Sequence, residues 1–516
     1  MPTAHPPPTT VTADRKALRR FDAPRQYVDN FIRQDQIDRY LNDDGGDFIN
    51  DDAIERTIAS NQAPDPERVR DILAKSRQIE TLTLDETAAL LNVRDPELVA
   101  EMEETALQVK KTVYDNRIVT FAPLYMSNLC VNNCLYCGFR NENCRETRRK
   151  LTMDEVREET RALAGQIGHK RLIVVYGEHP GTSTDYIAET IETVYGIEVP
   201  TRNGVGAIRR VNVNAAPLPI EDLAVLHEVG IGTFQVFQET YHHDTYARVH
   251  PGNFVKSDYR WRLYCMHRAL EAGVDDVGIG ALFGLYDWRF EVLGLVAHSR
   301  ELEGRFGIGP HTISFPRLEP ASDSELTRSS KYRVSDEDFR RLVTVLRLAV
   351  PYTGMIITAR ETEQIRRETI PLGCTQTDAS TRIGIGAYAE ATAEQDEDKQ
   401  QFLLGDTRSL EELVCDLAQQ GIITSFCTAG YRCGRTGGCI MDMLKTGKEG
   451  KFCKINAVLT FREWLDDFAS PASLKLCEPV LQSEIEEIRR TFQTPFFQTF
   501  MDSYKRIENG ERDLYF

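Results

Sequence analysis

Three cysteines in the stretch NLCVNNCLYCGF, Cys130, Cys134 and Cys137, are separated by three residues and then two. Three thiolates held this close can cap three irons of a 4Fe–4S cube and leave the fourth iron open to a small molecule. Electron-transfer clusters, by contrast, usually have every iron ligated by cysteine. An open iron points to catalysis. Zinc is the competing reading, but zinc motifs pair a two-residue gap with a distant second pair. Here a third cysteine crowds the same loop, next to the aromatic Tyr136.

Other residue types add to this. Cys427, Cys433, Cys439 and Cys453 fall in a glycine-rich stretch from Ser425 to Ala457 with little periodicity, which reads as a second metal site. Arg317, Arg360 and Arg382 lie at or just past the ends of strand-like runs. A guanidinium there can clamp a substrate carboxylate in a two-pronged fork, or it can salt-bridge the rim. His298 and His311 are candidate ligands for a further iron, because imidazole suits iron, although a lone histidine is more often a hydrogen-bonded structural group. Gln235 and Gln238 in TFQVFQ are expected to face inward together and to need polar partners there.

Elements that position such residues are visible in the pattern. From Arg117 onward, eight short apolar runs alternate with helical stretches: RIVTFAPLYM, RLIVVYG, RVNVNAA, TFQVFQ, DDVGIGALFG, HTISFPRL, GMIITAR and TQTDAS. Helix starts are signposted by Thr152 with Glu155, a capping box, and by Ser335 before Asp338. Eight strand–helix units predict an α/β fold, a TIM-like (β/α)8 barrel, with an open doubly wound sheet as the competitor. In such a barrel the loops after the strands form the reactive face, and the triple-cysteine loop follows the first strand. Residues 1–45 read as a disordered or targeting tail and 46–116 as a helical extension. Residues 117–390 read as the barrel, and 391–516 as a mostly helical, cysteine-rich C-terminal region.

Composition bounds the partners. A formal charge of −17 argues against nucleic acid and against an anionic membrane surface. No apolar run approaches membrane-spanning length. Twelve cysteines in a chain of 516 residues, with no hydrophobic leader, suggest a reducing compartment, the cytoplasm, unless the Pro/Thr-rich start is an organelle address.

On the quoted motifs the chain resembles the radical S-adenosylmethionine enzymes, and more narrowly their tyrosine lyase family. That family includes the FeFe-hydrogenase maturase and the thiamine-pathway 2-iminoacetate synthase. The likeness runs from about residue 47 to 470, through FQVFQETYH, DDVGIGALFGLYDWRFEVLGL and NAVLTFREWLDD. It implies that S-adenosylmethionine chelates the open iron and is cleaved to a radical that attacks L-tyrosine. The Cα–Cβ bond then breaks, giving p-cresol and dehydroglycine (2-iminoacetate). In the maturase branch, a second cluster turns dehydroglycine into carbon monoxide and cyanide. The implied partners are an electron donor such as flavodoxin or ferredoxin and the scaffold proteins of hydrogenase maturation.

The resemblance also assigns cofactor contacts. It sets Gly177 and Glu178 in VYGEHP against the cofactor's ammonium; on the residues alone, Tyr136 sits beside the cluster loop, and Gly278 and Gly280 read as close backbone approach to the adenosyl group or as simple packing. Two departures stand out. The family's second cluster uses Cys-x-x-Cys and a third cysteine 23 positions on; this chain has Cys427 and Cys453 in register, with Gly430 between them. Glycine cannot ligate iron, so the expectation divides between a rearranged site using Cys433 or Cys439, structural zinc, and no second cluster. Ser380 stands where relatives tend to carry glycine, next to a loop expected to face the substrate.

Overall fold

The computed structural model describes residues 13–389, 401–434, 437–446 and 448–516. The eight apolar runs form eight parallel strands: β1 (Arg117–Ser127), β2 (Arg171–Tyr176), β3 (Arg210–Asn214), β4 (Phe234–Gln235), β5 (Val277–Gly280), β6 (Thr312–Ser314), β7 (Gly354–Ile357) and β8 (Gln376–Asp378). β8 pairs back onto β1, with Val119 opposite Gln376 and Phe121 opposite Asp378. That pairing closes the sheet, so the open alternative is excluded and the barrel is complete. Every residue of β1 is buried, as expected for a parallel strand covered on both faces. Thr152 and Glu155 form the capping box expected of them, and the Ser335 hydroxyl accepts from the Asp338 N–H.

A ninth strand, β9 (Ile423–Ser425), pairs in parallel with the first residues of β1. The sequence pattern shows no sign of it, because it is three residues long and lies past the eight repeated units. Three long helices follow, Lys448–Phe468, Pro471–Thr491 and Thr494–Glu508. The first packs on β9 and on the helix Pro96–Tyr114. Its Glu463 forms buried ion pairs with Lys170 and Arg209, both at the start of barrel strands. The C-terminal region is therefore built into the barrel wall at the end where the strands begin.

The helical extension packs outside the barrel helices Trp288–Phe306 and Asp336–Ala349. Residues 13–45 depart from the expected tail. They form an arm with helices Pro24–Asn30 and Asp35–Asp38, and they bury Leu18, Tyr27, Phe31, Ile37 and Tyr40. The arm meets residues far along the chain: Tyr40 donates to Glu271 at 2.5 Å, and Gln36 bonds both Glu221 and the Ile220 N–H. Local periodicity carries no record of such contacts. Residues 1–12, including the basic-flanked start of the sequence, lie outside the described residues.

Candidate active site

The loop after β1 is irregular, and its backbone groups need partners. Arg148 supplies several. Its guanidinium donates to the carbonyls of Asn128 (2.9 Å), Phe139 (2.7 Å) and Asn143 (3.3 Å), and to that of Arg140. Asn128 closes the frame by bonding Glu146 at 2.7 Å and accepting from the Arg149 N–H. Arg148 is thus consumed in shaping the loop. Val131 N–H donates to the Glu178 carbonyl at 2.8 Å, which ties the loop to the end of β2. A Cβ on Gly177 would lie 2.2 Å from the Leu129 carbonyl oxygen, so only glycine permits that approach.

Cys130, Cys134 and Cys137 line one wall of a cavity of about 230 Å3 at the end of the barrel where the strands finish. Among the described residues, no three histidine, cysteine or acidic side chains converge as a single ion requires. A cluster takes its ligands at separate corners, so the donor set fits a cube better than zinc. Burial raises the Cys130 thiol and pushes Cys134 up to about 12, with Lys256 opposing the rise at Cys134. Iron would overcome this, since a coordinating thiol is deprotonated outright. Among the described residues, Gln235 Nε2 and Thr358 Oγ1 reach the same cavity buried and without partners, as a site built for a polar ligand would leave them.

The opposite wall is charged. Glu239 sits with φ of 72°, a backbone state a non-glycine residue adopts only under constraint. Its carboxylate accepts from Lys256 (2.8 Å) and Arg262 (3.3 Å). Burial works against this carboxylate, but the two cations outweigh it and hold its pKa below the ordinary value. Behind it, Glu291 accepts from the Thr240 hydroxyl (2.5 Å) and the Tyr241 N–H (2.8 Å), and so fixes the turn. Tyr136 donates or accepts a 2.7 Å bond with His250 Nε2 and lies under the Lys256 ammonium. Glu178 accepts from Asn132 at 2.6 Å; burial raises its pKa while that bond lowers it.

The expected site residues separate here. Cys130, Cys134, Cys137, Tyr136, Gly177, Glu178 and Arg360 all line the cavity. Arg360 stacks 3.3 Å over the Phe402 ring. Arg317 does not reach it; its guanidinium is held by Glu361 and Asp336 at the rim. Arg382 is turned to the Ala387 carbonyl, 2.7 Å away. Gly278 and Gly280 leave room for neighbouring side chains: a Cβ would lie 2.8 Å from Gln235 Cγ and 2.6 Å from Phe237 Cδ1, respectively. Gln235 lines the cavity with Phe237, whereas Gln238 does not, because residues three apart on an extended chain face opposite sides.

His298 lies in the helical layer, its Nδ1 3.0 Å from the Tyr241 hydroxyl, and burial pushes its pKa down to about 3. His311 sits at the far rim, 3.8 Å from Asp276. Ser380 is turned from the substrate side; its hydroxyl accepts from the Leu410 N–H at 2.7 Å, and its φ of 50° is the left-handed state that favours glycine. Cys427 follows β9, accepting from the Ala429 N–H, while Arg171 donates to its carbonyl. Cys433 and Cys439 are exposed and Cys453 is half-buried on the helix Lys448–Phe468. Gly430 lies in the short helix Ala429–Arg432.

Sequence reasoning missed Glu239, Lys256, Arg262, Asn132 and Gln401. Glu239 carried a weak signal, a carboxylate at a strand end in FQETYH. Gln401 fell in what reads as a charged linker, yet its Nε2 lies 3.5 Å from Cys137 Sγ and its Oε1 accepts from Tyr125 at 3.0 Å.

A loop of three thiols on the reactive face of a closed parallel barrel defines a class. The model of the Radical SAM superfamily matches residues 124–293, and that of the Biotin and Thiamin Synthesis associated domain matches 314–423. The chain is a radical S-adenosylmethionine enzyme. Within that class it belongs to the family of the FeFe-hydrogenase maturase HydG and 2-iminoacetate synthase. A crystal structure of HydG, a maturase of the [FeFe]-hydrogenase, is 44% identical and superposes with a TM-score of 0.85, covering 91% of this chain and 100% of that one. HydG from Carboxydothermus hydrogenoformans is 36% identical with a TM-score of 0.73, over 89% and 98%. The 2-iminoacetate synthase of Escherichia coli K12 is 31% identical over 66% of this chain and 86% of that protein. Among the described residues, no helix is long and apolar enough to cross a membrane.

Proposed function

We propose that the chain cleaves the Cα–Cβ bond of L-tyrosine, releasing p-cresol and 2-iminoacetate. The observation that carries this reading is one cavity holding three thiols, the buried Glu178 carboxylate beside them, and the Arg360 guanidinium among aromatic and aliphatic side chains. Cys130, Cys134 and Cys137 would hold the cluster, and Glu178 would accept the ammonium of S-adenosylmethionine, charge facing charge. Bound there, cluster and cofactor supply one-electron cleavage and a hydrogen-abstracting radical. Among the described residues, Arg360 makes one hydrogen bond, a 3.5 Å contact with the Arg317 carbonyl, so its guanidinium can fork a substrate carboxylate. Phe121, Tyr125, Phe139 and Ile356 line the same cavity and suit a phenol ring. Gln401, Phe402 and Leu404 also line it.

The reaction is read as ending at 2-iminoacetate. Gly430 offers no side chain, so only Cys427 and Cys453 remain in register with the family's three-cysteine pattern. A maturation role with carbon monoxide and cyanide is the second reading, supported by the 44% identity to HydG over its full length. Flavodoxin or ferredoxin would be the electron donor, and cytoplasm the compartment. The test is anaerobic turnover of the reconstituted protein with tyrosine and S-adenosylmethionine. p-Cresol without carbon monoxide or cyanide is expected. Both gases together would replace the first reading with the second, and no p-cresol from tyrosine would sink both.

A further inference from the structure

Glu178 is buried, so the direction of its carboxylate is set by what bonds it. Two donors do so. Asn132 Nδ2 holds Oε2 at 2.6 Å, and the Tyr27 hydroxyl reaches Oε1 at 3.4 Å. Asn132 belongs to the cysteine loop, but Tyr27 comes from the N-terminal arm, 151 residues away. Tyr27 is 6% exposed and clamped in an aromatic stack. Its ring lies 4.3 Å from Phe31 and 5.4 Å from Phe21, and Phe31 meets the edge of Trp261 at 6.1 Å. Trp261 precedes Arg262 of the charged wall.

The arm is docked on the barrel by polar contacts that stay clear of the cavity. Arg20 pairs with Asp185 at 2.9 Å, Arg33 with Glu221 at 3.2 Å, and Gln36 bridges Glu221 and the Ile220 N–H. These partners sit on the helices that follow β2 and β3. The arm therefore spans the outside of two barrel units and inserts one hydroxyl inward.

We propose that the arm is a working part of the cofactor site. Tyr27 is a positioning residue that, with Asn132, aims the Glu178 carboxylate at the ammonium of an amino-acid-bearing cofactor, and cofactor binding in turn tightens the arm on the barrel. The second half follows from the first, because coupling between two binding events is reciprocal. If a docked arm strengthens cofactor binding by some factor, bound cofactor strengthens docking by the same factor. The inference rests on the assignment of Glu178 to S-adenosylmethionine.

The test uses the full chain with its cluster reconstituted. Tyr27→Phe keeps the stack and removes only the hydroxyl. Titration of the reduced cluster's electron paramagnetic resonance signal with S-adenosylmethionine is expected to show affinity weakened about fivefold, the size of one net hydrogen bond, with iron content unchanged. Glu178→Gln is the reference and weakens binding further. In the unaltered protein, hydrogen exchange at residues 24–31 slows when S-adenosylmethionine is added; in both variants that slowing shrinks. Arg33→Ala combined with Gln36→Ala, which loosens the arm away from the cavity, also lowers affinity. Unchanged affinity in Tyr27→Phe alongside weakened Glu178→Gln overturns the inference and spares the function. Unchanged affinity in Glu178→Gln overturns the assignment on which both stand. Exchange at 24–31 that ignores the cofactor also overturns the coupling.

Discussion

At the scale of single residues, the chemistry is carried by side chains whose partners decide their state. Tyr125 orients the Gln401 amide by donating to its oxygen, which leaves the amide N–H aimed at Cys137 Sγ. Hydrogen bonds to cluster sulfurs tune the reduction potential. A donor stabilises the more electron-rich reduced state, so Gln401→Leu is expected to lower the potential of the reconstituted cluster while leaving its iron content intact. A redox titration followed by electron paramagnetic resonance measures this. The cysteine triplet was legible because its chemistry lies in its spacing. Gln401 and Lys256 were not, because one polar residue in a loop looks like any other until the fold brings it to the thiols.

At the scale of elements, the packing between extension and barrel carries a titratable joint. His243 opens a barrel helix and bonds Asp51 at 2.9 Å and Asp47 at 3.2 Å, at and just before the start of the extension helix Asp51–Ser60. Burial alone would lower its pKa, but the two carboxylates raise it to about 9. A raised folded-state value means the stabilisation is fully present below the unfolded value, near 6.5, and fades as pH rises through about 9. Thermal unfolding across that window should show a decline that His243→Gln flattens.

A second joint is Lys454, which pairs with Asp115 at 2.9 Å, Glu484 at 3.1 Å and Glu487 at 2.6 Å. Lys454→Met leaves the buried Glu484 without its cation and should cost on the order of 3 kcal/mol in denaturant unfolding. Strand identity was readable from β-branched runs such as RLIVVY. The shortest strands, β4, β6 and β8, showed only through the regular alternation around them. β9 and the arm did not show, because distant contacts order them rather than their own periodicity.

At the scale of the molecule, barrel and C-terminal region form one body. β9 hydrogen-bonds to β1, and one continuous apolar core runs from Leu18 to Ile507. Deleting residues 410–516 should therefore leave a chain that aggregates or is digested, not a free-standing barrel. Limited proteolysis and sedimentation of the truncated protein would check this, and a soluble, protease-resistant product would contradict it. The barrel itself was foreseeable from eight repeated units; how its ends are sealed was not.

The arm is made before anything it rests on. Asp185, Glu221 and Glu271 leave the ribosome long after Tyr27, and contacts spanning such separations form late. During synthesis, then, the cysteine loop and Glu178 exist for a time without the Tyr27 hydroxyl beside them.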